Sequence, residues 1–318
     1  MRSRVYVGTI GSGVWSSDDL GENWEACFNE DNSISRVWSL CWHVNEPAVV
    51  WAGTEQGLAQ QISGEAVDRV SSPFSDQQVW AIAQSPADHK TMFVGTRPGS
   101  IYRTQDGGNS WDELPVGIAT KCDIGLTRVT RIRVDPLVEG TVWVSVEIDA
   151  VHVSHDYGES WDKLDNGFKF PDIHDMVVVV EEGKRKLLAA TAVGLYCSIN
   201  DGQSWEWNKL DSPWQYTRGI ELKADGNGTV FLGNGDGPPG STGRLLRSND
   251  WGCSWEIADL DSPTNSTIWN IATNKSNPDL LFASTILGQV FRSTDGGIHW
   301  TKLPREFNEI RSLTWHPV

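Results

Sequence analysis

Arginine, tryptophan and histidine side chains recur at one equivalent position along this chain, where they could bind a ligand that carries a negative charge. The position is found by aligning the strand-like segments that end in Ser-Pro, Asp-Pro or His-Pro, such as VWAIAQSP. The residues at this position are Trp38, Trp80, Thr130, His174, Arg218, Trp269 and Arg311. Guanidinium groups form paired hydrogen bonds with carboxylates, and indole rings stack on flat or sugar-like molecules. In the alternative interpretation, these residues only fill the centre of the fold and each arginine is paired with a nearby acid.

Acid–base chemistry at the same place would depend on a histidine and two carboxylates. His174 is a candidate general acid or base, because the reference pKa of histidine lies near neutrality. Glu147 and Asp236 lie in turns predicted between the second and third strands of a unit, together with Glu55 and Asp149. The candidate catalytic residues are therefore His174, Glu147 and Asp236. The candidate ligand-binding residues are Trp38, Trp80, Arg97, Tyr216, Arg218, Trp269 and Arg311.

An eight-residue motif, Ser/Thr-x-Asp-x-Gly-x-x-Trp, occurs six times and indicates the architecture that positions these side chains. The copies are SDDLGENW, TQDGGNSW, SHDYGESW, SINDGQSW, SNDWGCSW and STDGGIHW, and only the fourth has Asn in place of Asp. They lie 44 to 50 residues apart, except for the first two, which are 87 apart, so one unit lacks the motif. The short carboxylate can hold a tight turn, the glycine allows a positive φ, and the tryptophan can cover the turn.

Each unit reads as four short strands, which predicts an all-β protein. The unit VWAIAQSP, TMFVGT, SIYRTQD and SWDELP is the clearest example, with turn residues between alternating segments. Repeats of this length are typical of β-propellers. The chain begins with a unit that lacks its first strand and ends with the unpaired strand EIRSLTWHPV. We therefore predict one domain over residues 1–318, a seven-bladed β-propeller whose C-terminal strand pairs with the N-terminal blade and closes the ring.

The repeated motif resembles the Asp boxes, or BNR repeats, of sialidases, sortilin-type receptors, xyloglucanases and photosystem assembly factors. The resemblance implies a propeller fold and covers nearly the whole chain. Sialidases combine an arginine triad with a tyrosine nucleophile, for which Arg97, Arg218, Arg311 and Tyr216 are the candidates here. The Phe/Tyr-Arg-Ile-Pro motif of that family is absent, and seven predicted blades differ from its usual six.

Composition restricts the partners and the location. A formal charge of −16 disfavours nucleic acid and anionic membranes, which attract basic surfaces. The chain starts in a predicted strand without an apolar signal region, and five scattered cysteines match no zinc or redox spacing. We therefore expect a cytoplasmic protein with no metal and no cofactor.

The blade order predicts that the candidate residues meet at one mouth of the central channel. The first strands begin there, whereas the repeated motif lies on the opposite rim. Loops at Asn29–Ser35, Gly117–Thr127 and Asn166–Asp172 are expected to wall this mouth. The resulting hypothesis is an enzyme-like propeller, a hydrolase or lyase, that binds and processes a small anionic or sugar-like ligand. The alternative is a non-catalytic binding or assembly propeller with a protein partner.

Overall fold

Seven antiparallel β-sheets form a ring in the computed structural model, which describes residues 2–28, 34–63 and 65–318. None of these residues is helical. The innermost strands of consecutive sheets contact each other around the ring. The protein is therefore a seven-bladed β-propeller with four-stranded blades, as the sequence predicted. The first part of the predicted loop Asn29–Ser35 lies outside the described residues.

The strands are numbered in chain order and grouped by blade. Blade 1 contains β1 (Ser3–Ile10), β2 (Val14–Ser17), β3 (Glu25–Ala26) and the last strand, β31 (Glu309–Pro317). Blades 2 and 3 contain β4 (Val37–His43), β5 (Glu46–Thr54), β6 (Leu58–Ile62), β7 (Val67–Val70), β8 (Gln78–Gln84), β9 (Met92–Arg97), β10 (Ile101–Thr104) and β11 (Asp112–Glu113). A hairpin follows, made of β12 (Lys121–Cys122) and β13 (Gly125–Leu126).

The second half of the ring repeats the same order. Blades 4 and 5 contain β14 (Val129–Val134), β15 (Val142–Val146), β16 (Ala150–Ser154), β17 (Asp162–Leu164), β18 (Ile173–Glu181), β19 (Lys184–Thr191), β20 (Gly194–Ser198) and β21 (Glu206–Asn208). Blade 6 contains β22 (Tyr216–Leu222), β23 (Val230–Gly235), β24 (Gly243–Ser248) and β25 (Glu256–Ile257). Blade 7 contains β27 (Ile268–Ala272), β28 (Leu281–Thr285), β29 (Val290–Ser293) and β30 (His299–Lys302), and β26 (Asp259–Leu260) adds a short parallel fifth strand.

The two ends of the chain close the ring within blade 1. Strand β31 pairs antiparallel with β1, in a register that runs from Ser3 opposite Pro317 to Ile10 opposite Glu309. This confirms the predicted closure. Because the C-terminal strand supplies the innermost strand of the first blade, it covers the inner edge of β1, which would otherwise be open.

The hydrophobic core lies between neighbouring blades. Seven clusters of buried side chains are found among the described residues, and each joins two adjacent blades. Between blades 4 and 5, for example, Trp143 and Val151 of one blade pack with Met176 and Leu187 of the next. Apolar burial therefore holds the blades side by side and fixes the geometry of the channel.

The repeated eight-residue motif forms the turn between the third and fourth strands. In blade 3, the Asp106 carboxylate accepts hydrogen bonds from the Thr104 hydroxyl at 2.8 Å and the Ser110 amide at 2.9 Å. Gly108 has a φ of 93°, a left-handed conformation that favours glycine, and the Trp111 indole donates to its carbonyl. The carboxylate is thus engaged within its own loop, which agrees with the predicted structural role.

Candidate functional site

Each innermost strand carries a β-bulge near its start, and the bulged residue is the one that the sequence alignment selected. The pairing registers skip one residue in six blades and two in blade 6, where Arg218 is followed by Gly219. The bulged residues are Trp38, Trp80, Thr130, His174, Arg218, Trp269 and Arg311. Bulges redirect side chains and are frequent next to functional sites.

One cavity at the channel mouth brings all seven bulged residues together. It has a volume of about 200 Å³, and its lining consists of residues of the innermost strands and Thr273, which directly follows β27. Arg131, Asp175, Glu221 and Asn270 also line it. The structure thus places the predicted set around one opening, while the binding role of the set remains a prediction.

Indole rings and guanidinium groups stack on each other around this opening. The rings of Trp38 and Trp80 lie 5.4 Å apart. The Arg218 guanidinium lies 3.9 Å from the centre of the Trp269 ring, and Arg311 lies 4.6 Å from the same ring. Because cations are attracted to the faces of aromatic rings, these contacts hold the guanidiniums at the cavity without neutralising their charge.

Acidic partners are unevenly distributed among the arginines at the mouth. Arg128, which also stacks on Trp80, forms an ion pair with Glu147, and Arg311 pairs with Glu309. Arg218 is only 8% exposed, and its guanidinium donates a hydrogen bond to the Tyr216 hydroxyl at 3.2 Å.

Arg97 lies on the same rim, outside the cavity lining, and its buried Nε has no partner. Within the described part of the chain, neither Arg97 nor Arg218 has a carboxylate partner. Part of the positive charge at the mouth therefore has no carboxylate in direct contact, although Arg218 acts on Asp172 and Glu147 from a longer distance.

Crowding of these cations shifts the protonation equilibria at the site. Burial, against the opposing effect of Glu147 and with the help of the neighbouring Arg218, Arg311 and Arg97, lowers the pKa of Arg128 to about 10. Burial and Arg218 likewise lower the pKa of Arg311. An anion placed among these groups would relieve their mutual repulsion.

His174 is buried, and both of its ring nitrogens contact oxygen atoms. Nδ1 lies 2.6 Å from the carbonyl of Thr217, and Nε2 lies 3.3 Å from Oδ2 of Asp172. Burial and the nearby Arg218 lower the pKa of His174, while Asp172 opposes this effect. The neutral ring therefore donates Nδ1–H to Thr217, and its Nε2 faces the carboxylate.

The two carboxylates predicted to be catalytic lie in different surroundings, both outside the cavity lining. Glu147 is buried beside the mouth, and burial raises its pKa although Arg128 opposes the shift. Asp236 is exposed, and its carboxylate accepts hydrogen bonds from the Ser241 amide and hydroxyl at 2.8 and 2.7 Å. Of the three candidates, only His174 lines the cavity, and the contacts of Asp236 are those of a turn residue.

Three charged residues at the mouth were not predicted as site residues from the sequence, namely Arg128, Asp172 and Glu309. Each lies two positions before a bulged residue, namely Thr130, His174 or Arg311. Alternate residues of a strand share a face, so this spacing was the available signal. The predicted loop Asn166–Asp172 supplies Asp172, and in the loop Gly117–Thr127 the Ala119 amide donates to Asp149.

The floor of the cavity is electrostatically balanced. Arg131 donates two hydrogen bonds to Asp175, at 2.8 and 2.6 Å, and Arg133 contacts both Asp175 and Glu221. Burial alone would raise the pKa of Asp175, but Arg131 and Arg133 hold it below its usual range. This network ties blades 4, 5 and 6 together beneath the mouth.

The described residues show neither a metal-binding cluster nor a membrane-spanning helix. Over residues 2–28, 34–63 and 65–318, no three His, Cys, Asp or Glu side chains are grouped so that they could hold a metal ion. The same stretches contain no helix of the length and apolarity needed to cross a membrane.

The fold defines the class of the protein as a seven-bladed β-propeller, and solved structures of this class resemble it. YCF48 bound to D1 peptide matches with a TM-score of 0.57 and 14% identity, over 86% of this chain and 85% of that chain. YCF48 from Cyanidioschyzon merolae matches with a TM-score of 0.59 and 15% identity, over 84% of each chain.

A GH74 enzyme from Niastella koreensis has a TM-score of 0.62 and 12% identity to this protein. The match covers 98% of this chain but only 66% of the enzyme. Likenesses at such low identity support the fold alone. No protein-family model matches the chain, and no curated protein matches it.

Proposed function

We propose that this protein is a binding propeller that holds a carboxylate-bearing ligand in its central mouth. The single observation that carries the proposal is Arg218, a guanidinium that is almost fully buried, faces the cavity and has no acidic partner among the described residues. Burying an unpaired charge is costly, and a bound anion would remove that cost. The rings of Trp38, Trp80 and Trp269 would stack on a flat or sugar-like body attached to the carboxylate.

The first experiment compares ligands that differ in charge but little in shape. Benzoate is compared with benzamide, and glucuronate with glucose, by thermal shift and isothermal titration calorimetry. We expect both carboxylates to bind and to raise the melting temperature, and both neutral analogues to bind at least tenfold more weakly. Equal affinities within each pair would contradict the proposal.

One comparison favours a protein partner as the molecule that carries the carboxylate. The similar propeller YCF48 is described as bound to D1 peptide, so a propeller of this shape can receive a peptide. Exposed apolar side chains on the loops of the same rim, Ile124 and Phe170 among them, would contact residues next to the anionic group. Binding of peptides with a free C-terminal carboxylate, compared with C-terminal amides, tests this form.

An enzymatic role, as a hydrolase or lyase, is the second candidate. The contact between His174 and Asp172 favours it, because a carboxylate beside an imidazole is a common arrangement for a general base. Two propellers of similar fold are described as GH74 enzymes, which supports this candidate. If the protein is an enzyme, His174→Asn should lower kcat more than it changes KM for uronate-containing glycosides, whereas a binding protein shows no turnover.

Three further assignments are proposals that rest on the sequence. Membership of the Asp-box superfamily is supported by the six motif copies and by the turn that they form. A single domain over residues 1–318 is supported by the closure of the ring by both chain ends. A cytoplasmic location is supported by five free cysteines. Fractionation of the native host with an antibody against the protein would test the location.

A further inference from the structure

We propose that the mouth binds its anion together with one proton, which is held between Nε2 of His174 and Oδ2 of Asp172. This inference rests on the proposed function, because it requires an anion beside Arg218. The geometry that carries it is the pair of oxygens around the imidazole. The Thr217 carbonyl, at 2.6 Å, and the Asp172 carboxylate, at 3.3 Å, both accept hydrogen bonds and have no hydrogen to donate.

A neutral imidazole has only one N–H, so it can satisfy only one of these two acceptors. With Nδ1–H directed to Thr217, the lone pair of Nε2 faces Asp172, and Oδ1 of Asp172 is also buried without a partner. A charged imidazolium would donate to both oxygens. The two oxygens around His174 are therefore best satisfied by an imidazolium, which the site disfavours when no anion is bound.

The charged groups around His174 explain why the proton is absent without a ligand. Arg218 contributes a positive charge from β22, and Tyr216 places its ring 5.0 Å from the imidazole. Burial and Arg218 keep the pKa of His174 low, against the opposing effect of Asp172. An anion that pairs with Arg218 removes one of the two unfavourable contributions, and the attraction of Asp172 then favours the imidazolium.

The carboxylates of Asp172 and Glu147 compete with His174 for the same proton. Burial tends to raise the pKa of Asp172, but His174, Arg218 and Arg128 hold it below its usual range, so this group stays ionised. Glu147 is the stronger competitor, since burial raises its pKa and it lies next to Arg128. The experiment therefore has to identify the atom that takes up the proton.

The test uses benzoate as the probe and the intact protein. Calorimetry in bis-Tris and in Tris, two cationic buffers with different ionisation enthalpies, gives the number of protons taken up on binding. We expect net uptake near neutral pH and an affinity that rises as the pH falls, by at most about tenfold per pH unit for one proton. The 15N shift of Nε2 of His174 should move towards that of an imidazolium when benzoate is added.

Two variants separate the candidate proton sites. Asp172→Asn should still bind benzoate but lose the proton uptake, because the amide can donate to a neutral Nε2. Glu147→Gln should keep the uptake. Ring resonances of His43, at the opposite rim, provide an internal reference that should not respond to benzoate.

Two results would overturn this inference and leave the proposed function intact. The first is binding of benzoate without proton uptake. The second is proton uptake that survives in Asp172→Asn and disappears in Glu147→Gln. Absence of benzoate binding, together with absence of glucuronate binding, would overturn both.

Discussion

The arginines of the channel fall into two groups that differ in how their charge is balanced. Arg131 and Arg133, at the floor, contact Asp175 and Glu221. Arg218, at the mouth, contacts Tyr216 and Trp269 and forms no ion pair with the part of the chain that the structure describes. Partnered arginines in such a position stabilise the fold. Arg218 also stacks on Trp269 of the next blade, but that contact leaves its charge without a carboxylate in direct contact, and a bound anion would supply one.

The floor network should be important for stability. Asp175→Asn leaves Arg131 and Arg133 without their shared carboxylate. Because Asp175 is buried but both guanidiniums are partly exposed, the cost should be clear yet below the roughly 3–5 kcal/mol of a fully buried pair. The free energy of unfolding in urea measures the loss. Asp236→Asn is the control, because this exposed carboxylate only bonds within its own turn. Equal, small effects of both substitutions would contradict the account of the floor.

The ion pairs of Asp175 with Arg131 and Arg133 also predict that the stability of the protein depends on pH. The pKa of Asp175 is held below its usual range in the folded protein, so its contribution is present at neutral pH. That contribution is lost as the pH falls below the pKa of Asp175 in the unfolded chain and then through its lowered pKa in the folded protein. The stability difference between the wild type and Asp175→Asn should therefore narrow in acid. A difference that stays constant down to pH 3 would argue against this assignment.

At the scale of elements, the repeated turn motif and the bulged strands have separate tasks. The motif lies on one rim and joins the third and fourth strands, while the bulges lie at the other end of the innermost strands. Substitutions in the motif should therefore change stability without changing binding at the mouth.

Trp300→Ala tests this separation. Trp300 is 1% exposed and packs in the core between blades 6 and 7, so its removal should cost about 3–5 kcal/mol. Trp161, the equivalent residue of blade 4, is only partly buried, and Trp161→Ala should cost less. Chemical denaturation gives both values. A fully folded Trp300→Ala variant with unchanged stability but lost benzoate binding would contradict the structural role.

The sequence predicted the strands and the residues at the mouth, but not how those residues reach the cavity. Regular spacing and the Ser-Pro, Asp-Pro and His-Pro ends were sufficient to align the strands, because each blade repeats the same local pattern. The bulges at Trp38 or Arg311 depend on pairing with the next strand, which a single sequence does not specify. The pairing of Arg128 with Glu147 was missed because these residues lie in different loops.

At the scale of the whole molecule, closure by the C-terminal strand links stability to the binding site. Strand β31 forms the inner strand of blade 1 and also supplies Arg311 to the cavity. A chain without residues 305–318 loses one wall of the mouth and exposes the edges of β1 and its neighbours. We expect aggregation, or a large loss of melting temperature, in light scattering and calorimetry. A truncated protein that remains monomeric with unchanged melting would contradict the closed ring as the source of stability.

The central claim is that Arg218 makes the mouth a binding site for an anion. The most direct test of this claim is to measure the affinity of two arginine variants for benzoate by calorimetry. Arg218→Gln removes the unpartnered charge, and we expect the affinity to fall about 10- to 150-fold, which corresponds to the loss of a charged hydrogen bond of roughly 1.5–3 kcal/mol. Arg305→Gln is the matched control, since Arg305 also stacks on an indole, 3.8 Å from the ring centre of Trp15, but lies outside the cavity. This variant should bind as the wild type does. Equal affinities of the wild type and Arg218→Gln, with both proteins folded, would contradict the account.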